Sequence, residues 1–528
     1  MKTQVLIIGG GATGTALARD LALRGVACVL VERDDLNAGA SGRNHGLLHS
    51  GARYVSNDPA AAAECREEGA ILKRVAPQCI QETGGLFVAI EGDDERYVAA
   101  FPELCARAGI AARGLSVQEA RELEPALSPR TIAAYLVPDA SVDPFKLSLE
   151  SMEQARRLGG RLVRRTGVVG FEMASGRIVR TRLLSRVDGT EVVVEADVIV
   201  NAAGAWARAV AAMANVDVLM LYSKGTLLVT HARLAHRVLN RLRQPGDADI
   251  VMPGGTVSIV GTTSVTLPSL VSVHPTIEEV DLIVEEASAM LPALNETRYI
   301  RAYSGVRPLV TESGSAEGRA VSRGFTLIDH AKDGVENLMT ITGGKLTTCR
   351  LMAERTADLV CERLGVTAAC RTRVDPLPPA DDCQWTEPGR APRSWMRQHA
   401  PNDVLLCECE MVSRTTLDTI AQELEGGEVG TVLADLALRS RLGKGACQGT
   451  FCAIRAVAHL YDRRILSGRR GLCETREFFE ERWRGQHAIL WGEQLAQAEL
   501  AEAIHCGLHG QELVSDLTDV GGPPKVAP

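Results

Sequence analysis

The chain has 528 residues, of which 45% are hydrophobic and 23% are charged, and its formal net charge is −8. This length exceeds what a single hydrophobic core accommodates, so roughly two to four domains are expected. A negative net charge does not provide the basic surface that neutralises phosphates, so no nucleic-acid partner is expected.

Cysteine usage and hydropathy predict a cytosolic protein. The sequence contains 14 cysteines, most of which stand singly, and it has no signal-peptide pattern. Isolated cysteines in such a chain are expected to be reduced thiols rather than disulfides. No stretch reaches the roughly 18 to 20 consecutive apolar residues that cross a bilayer. We therefore expect any membrane attachment to come through a partner.

The N-terminal residues predict a compact β-α-β unit. Gln4–Ile8 is a short apolar run typical of a buried strand, and a glycine-rich turn follows it. Ala16–Leu23 has helical spacing, Arg24-Gly25 ends that helix, and Val26–Val31 predicts the second strand. Such a unit at this length is typical of a nucleotide-binding fold.

The turn carries the pattern Gly-x-Gly-x-x-Gly at Gly9, Gly11 and Gly14. The first glycine permits a tight turn, the second lets a pyrophosphate approach the backbone, and the third lets helix and strand pack closely. The pyrophosphate then lies against the helix N-terminus, which favours an anion. Glu32 ends the second strand and is placed to accept hydrogen bonds from a ribose. These features predict dinucleotide binding.

Further glycine turns distinguish between the possible dinucleotides. They occur at Gly39–Gly46, Asn201–Gly204 and Gly343-Gly344, far apart in the sequence. Several backbone contacts spread along the chain suit a long, buried FAD better than a nicotinamide cofactor held by one half of the fold. The sequence therefore favours FAD.

The middle of the chain alternates between strands and helices. Val192–Val200 predicts a buried strand, the stretch from Leu221 to Ser264 is strand-rich, and Ile277–Met290 predicts an acidic amphipathic helix. Leu338–Ile341 predicts a last strand, followed by a helix to about Leu364. A nucleotide-binding fold interrupted by strand-rich insertions would account for this order.

The composition changes after about residue 370. Residues 371–402 are rich in proline and arginine with little periodicity, which predicts a linker. A small cysteine-bearing module is expected at 403–457 and a tail at 458–528, in which Thr475–Ala503 is helical.

Two cysteine couplets stand in this C-terminal module. They are Cys407-Glu408-Cys409 and Cys447-Gln-Gly-Thr-Phe-Cys452. Four thiolates in this pattern predict a metal or iron–sulfur site. Structural zinc is an alternative, although zinc ribbons favour two intervening residues. A dinucleotide site at one end and a thiolate group at the other predict a redox enzyme with an onward electron partner.

Four motifs together resemble the FAD-dependent sn-glycerol-3-phosphate dehydrogenases. They are Gly9–Gly14, Ser41–Tyr54, Tyr303–Pro308 and Thr342–Thr348. The resemblance covers about residues 1–365, and the four-cysteine module resembles the [2Fe–2S] domain of bacterioferritin-associated ferredoxins. The combination is similar to the catalytic A subunits of bacterial anaerobic glycerol-3-phosphate dehydrogenases.

The resemblance implies an α/β fold with a Rossmann-like FAD-binding domain of the glutathione-reductase/D-amino-acid-oxidase type. A strand-rich substrate domain is inserted in it, and a small cysteine-rich α-helical module follows. Within residues 1–370, FAD-binding segments are expected at about 1–75, 150–215 and 320–370, and substrate-domain segments at about 76–149 and 216–319.

The resemblance also implies the residues of the site. FAD is expected to contact Gly9, Gly11, Gly14, Glu32, Arg33, Ser41, Gly46, Ala203, Gly204, Gly344, Leu346 and Thr347. The substrate pocket is expected to contain Arg53, Tyr54, Arg307, Arg323 and Lys345. A dianionic phosphate ester needs permanently charged bidentate donors, which arginine supplies.

His49 is the candidate base, because oxidation at carbon 2 requires the hydroxyl proton to leave. His45 is a rival, and packing of His49 against FAD is a third interpretation. Arg307 and Lys345 are expected to assist catalysis.

The implied reaction is the oxidation of sn-glycerol 3-phosphate to dihydroxyacetone phosphate by hydride transfer to FAD. Electrons are expected to pass through a [2Fe–2S] cluster and partner subunits B and C to menaquinone in anaerobic respiration. The complex is expected on the cytoplasmic face of the membrane. Two alternatives stay open: a flavin-dependent dehydrogenase or oxidase of another small hydroxy acid or amine, and a non-catalytic electron-transfer protein with a vestigial flavin site.

Overall fold

The computed structural model describes residues 1–271, 273–310, 324–378, 399–425 and 432–513. Its strands are β1 Lys2–Ile8, β2 Cys28–Val31, β3 Leu47–Leu48, β4 Ile80–Gln81, β5 Gly85–Ile90, β6 Arg113–Leu115, β7 Thr131–Val137, β8 Ala140–Val142, β9 Arg161–Val163, β10 Thr166–Ala174, β11 Arg177–Ser185, β12 Glu191–Asn201, β13 Met220–Thr230, β14 Val238–Arg241, β15 Ile250–Gly254, β16 Val257–Gly261, β17 Val265–Leu267, β18 Tyr299–Val310, β19 Phe325–Asp329, β20 Leu338–Gly343, β21 Leu405–Cys407 and β22 Val412–Ser413. Its α-helices are α1 Ala12–Leu23, α2 Pro59–Val75, α3 Glu95–Arg107, α4 Val117–Leu123, α5 Pro144–Arg157, α6 Ala207–Ala212, α7 Ile277–Ser288, α8 Cys349–Leu364, α9 Arg414–Glu425, α10 Val432–Ser440, α11 Cys452–Asp462, α12 Arg470–Gln486 and α13 Glu493–Glu502.

The first sheet builds the dinucleotide-binding part. Its parallel strands run in the order β9-β2-β1-β12-β20, β19 pairs antiparallel with β20, and the β10–β11 hairpin extends from β12. Parallel strands that are covered on both faces form continuous apolar runs, and residues 5–7 of β1 are fully buried. On one face the core joins Leu17 and Leu21 of α1 to Met152 of α5 and Val360 of α8.

The second sheet has nine strands and comes from two separate stretches of the chain. Its order is β17-β13-β16-β15-β14-β5-β7-β6, and β18 also pairs with β13. Helix α7 covers it, burying Val280 and Ile283 with Leu228 and Val260. Strands β5–β7 fall between α2 and α5, and β13–β18 fall between α6 and β19. The sheet is therefore inserted twice into the first fold.

The C-terminal residues form a small helical module. The β21–β22 hairpin and helices α9 to α12 share a core that includes Leu417, Leu436, Ala456, Leu460 and Phe478. The predicted fold class, with an α-helical module after the oxidoreductase fold, is confirmed. Within the part of the chain that the structure describes, no helix has the length and apolarity needed to cross a membrane.

Some predicted boundaries were wrong. Helix α1 begins at Ala12 rather than Ala16, because the extended backbone of Gly11 serves as its N-cap. The predicted tail helix Thr475–Ala503 is interrupted between α12 and α13, where Gly492 has a φ of 54°. Helix α12 ends at Gln486, and Gly492 is the N-cap of α13, with a positive φ that glycine adopts readily.

Most of the predicted linker at 371–402 lies outside the described residues, as do residues 514–528 of the predicted tail. The first residues of the linker pack on α2. Leu377 is buried, and its N–H donates to the carbonyl of Val75 at 2.6 Å. This stretch therefore belongs to the surface of the dinucleotide-binding part.

Candidate active site

The turn after β1 is built from glycines that no other residue can replace without a clash. A Cβ on Gly14 would lie 2.0 Å from the carbonyl oxygen of Gly9, and a Cβ on Gly9 would lie 2.5 Å from the carbonyl oxygen of Ala202. Gly9 also has a φ of 114°. The close approach of β1, α1 and the end of β12 therefore depends on these two glycines.

The N-terminus of α1 opens at this turn. It has no side-chain cap and no acidic residue in its first turn. The N–H of Ala12 donates to Oγ of Ser41 at 2.9 Å, and a Cβ on Gly11 would lie 3.0 Å from the same oxygen. The positive end of a helix attracts an anion, and Gly11 has no side chain to block its approach, so the cradle of Gly11, Ala12 and Ser41 fits a pyrophosphate.

Glu32 and Arg33 lie at the carboxyl end of β2. The Glu32 carboxylate accepts hydrogen bonds from the backbone N–H of Gly10 at 2.6 Å and of Asp34 at 2.9 Å. Burial raises the pKa of Glu32, and these two hydrogen bonds oppose the rise. The guanidinium of Arg33 lies 4.8 Å from the ring centroid of Trp206. Glu32 thus stabilises the glycine turn, and its role as a ribose ligand stays a prediction.

The other predicted FAD contacts surround the same edge of the first sheet. The N–H of Ala203 donates to the side chain of Asn201 at 3.3 Å, and Gly204 accepts a hydrogen bond from Thr342 at 3.2 Å. Leu346 is half-buried and Thr347 is fully buried.

Two glycines at this edge have left-handed backbones. Gly46 has a φ of 72°, and a Cβ there would lie 2.7 Å from the carbonyl oxygen of Val142. Gly344 has a φ of 69°, and a Cβ there would lie 2.5 Å from Sδ of Met352. Cradles that only glycine allows, together with the helix start, fit close approach of a dinucleotide such as FAD to the backbone.

His49, Tyr54 and Lys345 form one cluster. Nε2 of His49 lies 3.4 Å from the hydroxyl oxygen of Tyr54, and Nζ of Lys345 lies 4.9 Å from the centroid of the Tyr54 ring. The backbone N–H of His49 donates to Oγ1 of Thr347 at 3.2 Å. The structure therefore joins the Ser41–Tyr54 motif to the Thr342–Thr348 motif at the predicted base.

Arg307 extends from β18 across its neighbour β13. Its guanidinium donates to the carbonyl oxygen of Thr263 at 3.1 Å, to Oγ of Ser223 at 3.4 Å and to Oγ1 of Thr262. A Cβ on Gly225 would lie 2.4 Å from NH2 of Arg307. Gly225 therefore makes room for the guanidinium, and Ser223, Thr262 and Thr263 hold it through neutral oxygens.

His45 lies near His49 and is affected by the charge of Arg307. Its ring centroid lies 6.1 Å from that of His49. Burial, followed by the charges of Arg307 and Arg53, lowers the pKa of His45 to about 3. Arg53 also donates through NH2 to Asp249 at 3.0 Å. Arg53 thus pairs with a carboxylate, and its role in the substrate pocket stays a prediction.

The predicted ligand Arg323 lies outside the described residues. Sequence reasoning missed Thr262 and Thr263, which hold Arg307. The only local signal for them is a pair of hydroxyl residues directly after the strand β16.

The four predicted cluster ligands meet in the C-terminal module. Cys407 and Cys452 are buried and Cys409 is exposed. The sulfurs of Cys409 and Cys447 lie 3.9 Å apart. Hydrogen bonding to Cys409 lowers the pKa of Cys407, but hydrogen bonding to Cys452 and burial outweigh it and raise that pKa to about 12. The thiols are therefore connected in the order Cys452, Cys407, Cys409, Cys447.

These thiols contact one another in pairs. Nowhere in residues 1–271, 273–310, 324–378, 399–425 and 432–513 does a group of three or more His, Cys, Asp or Glu side chains have the arrangement of a metal site. The donor chemistry nevertheless suits thiophilic iron. A Cβ on Gly445 would lie 2.2 Å from Cβ and 3.2 Å from Sγ of Cys409, so the backbone of Gly445 lies close to this cysteine. The cluster stays a prediction.

The fold and the glycine cradle define a flavin-dependent oxidoreductase, and a family model described as FAD dependent oxidoreductase matches residues 4–359. The A subunit of anaerobic glycerol-3-phosphate dehydrogenase from Escherichia coli strain K12 is 40% identical over 533 residues, covering 97% of each chain. The protein of that name from Haemophilus influenzae is 39% identical, covering 98% of this chain and 95% of its own.

A solved structure shares the fold. It is the glycerol-3-phosphate dehydrogenase from Bacillus halodurans complexed with FAD, with a TM-score of 0.61, 21% identity and coverage of 93% of this chain and 96% of that one. The chain therefore belongs to the FAD-dependent oxidoreductases and, within them, to the family of anaerobic glycerol-3-phosphate dehydrogenase A subunits. The predicted enzyme class and its cofactor FAD are confirmed.

Proposed function

We propose that this chain oxidises sn-glycerol 3-phosphate to dihydroxyacetone phosphate. The observation that carries the proposal is the grouping of His49, Lys345 and Arg307 around His45 and Tyr54, beside a cradle that fits FAD. A phosphate ester with an adjacent secondary alcohol needs a base and permanent positive charges, and this group supplies both.

Arg307 is the proposed ligand of the substrate phosphate. Its guanidinium is held by Ser223, Thr262 and Thr263. A planar donor fixed in this way offers paired N–H groups to phosphate oxygens and thereby fixes the position of carbon 2. Arg323 remains a second predicted phosphate ligand. Lys345, in the Thr342–Thr348 motif, adds a further positive charge.

His49 is the proposed base. FAD, when bound, accepts the hydride from carbon 2. The imidazole of His49 takes the hydroxyl proton at Nε2, the atom that faces the Tyr54 hydroxyl at 3.4 Å. The lowered pKa of His45 keeps that ring neutral, so it adds no charge that would repel the proton on His49.

We further propose that Cys407, Cys409, Cys447 and Cys452 hold a [2Fe–2S] cluster. The cluster, when bound, accepts electrons singly. Support comes from the contact of the four thiols at one end of the module and from the exposure of Cys409.

The partners are proposed from the family. The relatives are named as A subunits, which supports assembly with further subunits B and C. Those subunits would pass electrons to menaquinone in anaerobic respiration and attach the complex to the cytoplasmic face of the membrane.

A visible spectrum of the anaerobically purified chain, loaded with FAD and iron, tests the reaction. We expect sn-glycerol 3-phosphate to bleach the flavin band, whereas glycerol and glycolate leave it oxidised. Bleaching by glycolate or an amine instead would support a flavoenzyme for another small hydroxy acid or amine. Iron, zinc and acid-labile sulfide content test the cluster, and zinc without sulfide would contradict it.

A further inference from the structure

The C-terminal module is attached to the dinucleotide-binding part by a buried ion cluster. Arg439 of α10 donates through two nitrogens to Asp35 at 2.7 and 3.1 Å. Arg164 bridges Asp35 at 3.2 Å and Asp435 at 2.9 Å, and Arg165 contacts the other oxygen of Asp435. The side chains of Asp35, Arg164, Asp435 and Arg439 are 4 to 11% exposed. One helix of the module is thus fixed to the loop after β2.

The arginines of this cluster stabilise the ionised form of Asp35. Burial raises the pKa of Asp35, but Arg439 and Arg164 outweigh burial and hold it well below its usual range. A buried pair with bidentate geometry specifies one docking arrangement, because removing either partner leaves an uncompensated charge. Asp35 lies three residues after Glu32, so the docking point adjoins the FAD cradle.

A second contact continues along the same segment of the module. Nζ of Lys444 lies 4.7 Å from the ring centroid of Phe145, at the start of α5. Cζ of that ring lies 2.8 Å from the position of a Cβ on Gly42. Gly42 belongs to the flavin loop, defined as residues 41–46, which carries Ser41 and Gly46. Phe145 therefore touches the flavin loop on one side and the module on the other.

Lys444 leads directly to the thiols. It belongs to the thiol loop, defined as residues 443–449, which carries Cys447. Its neighbour Gly445 approaches Cys409 so closely that a Cβ there would lie 2.2 Å from Cβ of Cys409. A continuous series of contacts thus runs from Gly42 through Phe145 and Lys444 to the backbone that touches Cys409.

We propose that Phe145 and Lys444 are positioning residues that hold the thiol loop against the flavin loop, and that electrons pass between the two cofactors across this contact. The proposal rests on the proposed function, because it requires FAD and iron at their predicted sites. In a single turnover the substrate gives two electrons to the flavin. With both cofactors in place, the thiols would hold an iron site that could take one electron, a ferric ion becoming ferrous, while the second electron would remain with the flavin and no further bond would break.

Anaerobic stopped-flow spectroscopy of the full-length, FAD- and iron-loaded chain tests this contact between the flavin loop and the thiol loop. The test variants are Phe145→Leu, Lys444→Met and the double variant. The controls are Phe171→Leu and Lys332→Met, which change the same residue types on β10 and on the exposed turn after β19. We expect flavin bleaching by sn-glycerol 3-phosphate at the wild-type rate in all of them, and several-fold slower iron reduction in the test variants alone.

Hydrogen exchange supplies a readout that does not depend on turnover. Amides of the thiol loop should exchange faster in the double variant and in Asp35→Asn, but not in Asp188→Asn, which changes an exposed loop residue. Iron reduction at the wild-type rate in the double variant overturns the proposal, as does a wild-type flavin that bleaches without any iron reduction.

A wild-type flavin that stays oxidised refutes the proposed function instead. In that case hydrogen exchange alone tests the contact between the flavin loop and the thiol loop. Unchanged exchange of the thiol loop in both Asp35→Asn and the double variant then overturns it.

Discussion

The hydroxyl oxygen of Tyr54 lies 3.4 Å from Nε2 of His49. The tyrosine ring is itself positioned by the Lys345 ammonium, 4.9 Å from its centroid. A backbone hydrogen bond to Thr347 fixes the main chain of His49 from the other side. The imidazole is therefore oriented by groups from both motifs of the site, as a base that must meet one substrate proton requires.

Replacement of His49 is expected to slow chemistry more than binding. We predict that His49→Gln lowers the rate of flavin reduction by about 10²- to 10⁴-fold, the usual contribution of a positioned acid–base group. Tyr54→Phe should cost less, because it removes only the hydroxyl next to the ring. Stopped-flow bleaching with sn-glycerol 3-phosphate measures both. A His49→Gln rate near wild type, with loss in His45→Gln, would assign the base to His45.

Arg307 is expected to determine affinity for the phosphate. Arg307→Lys keeps the charge but loses the planar paired donors, which we estimate at roughly 1.5 to 3 kcal/mol, or about a ten- to hundredfold rise in KM. Arg301→Lys is the matched control, since Arg301 lies on the same strand and pairs with Glu481. Equal KM changes in the two variants would contradict the assignment.

Gly14→Ala is expected to abolish FAD retention. The added Cβ would lie 2.0 Å from the carbonyl oxygen of Gly9, so the turn and α1 must separate. Gly170→Ala is the control, because nothing lies within 4 Å of a Cβ at that position. The ratio of flavin to protein absorbance after gel filtration measures the effect. Full FAD content in Gly14→Ala would show that the cradle does not hold the cofactor.

Cys452→Ser is expected to lower iron content while FAD content stays at the wild-type value, because Cys452 lies in the module and not in the cradle. Cys473→Ser, a half-buried cysteine of α12, is the control. Iron and sulfide analysis with the flavin spectrum checks both. Wild-type iron in Cys452→Ser would remove it from the ligand set.

Much of this architecture could be predicted from local sequence patterns. The glycine fingerprint, the strand after it and the helix from Ile277 depend on residues close in sequence, so their steric needs can be read directly. The sharing of Arg53 with Asp249 and the Asp35–Arg439 pair join residues far apart in the chain. No local periodicity encodes such contacts, since they arise only when sheets and module pack. For the same reason Thr262 and Thr263 could not be assigned to Arg307.

His45 predicts a loss of stability at mildly acidic pH. Its folded pKa of about 3 lies below the ordinary value of 6.5, mainly because of burial and then because of Arg307 and Arg53. The unfolded chain therefore binds a proton at His45 more readily below about pH 6.5, and stability falls as the pH decreases from there towards 3. Above pH 7 both states are neutral and the contribution vanishes.

For the half-buried His45 side chain, linkage gives a loss of at most about 1.4 kcal/mol between pH 7.5 and pH 5.5. We expect His45→Gln to reduce the shift of the urea unfolding midpoint over this interval, and His487→Gln, on an exposed residue, to leave it unchanged. Identical pH dependence in wild type and His45→Gln would mean that His45 takes up a proton in the folded state. Burial and the charges of Arg307 and Arg53 would then not lower the pKa of His45 as described.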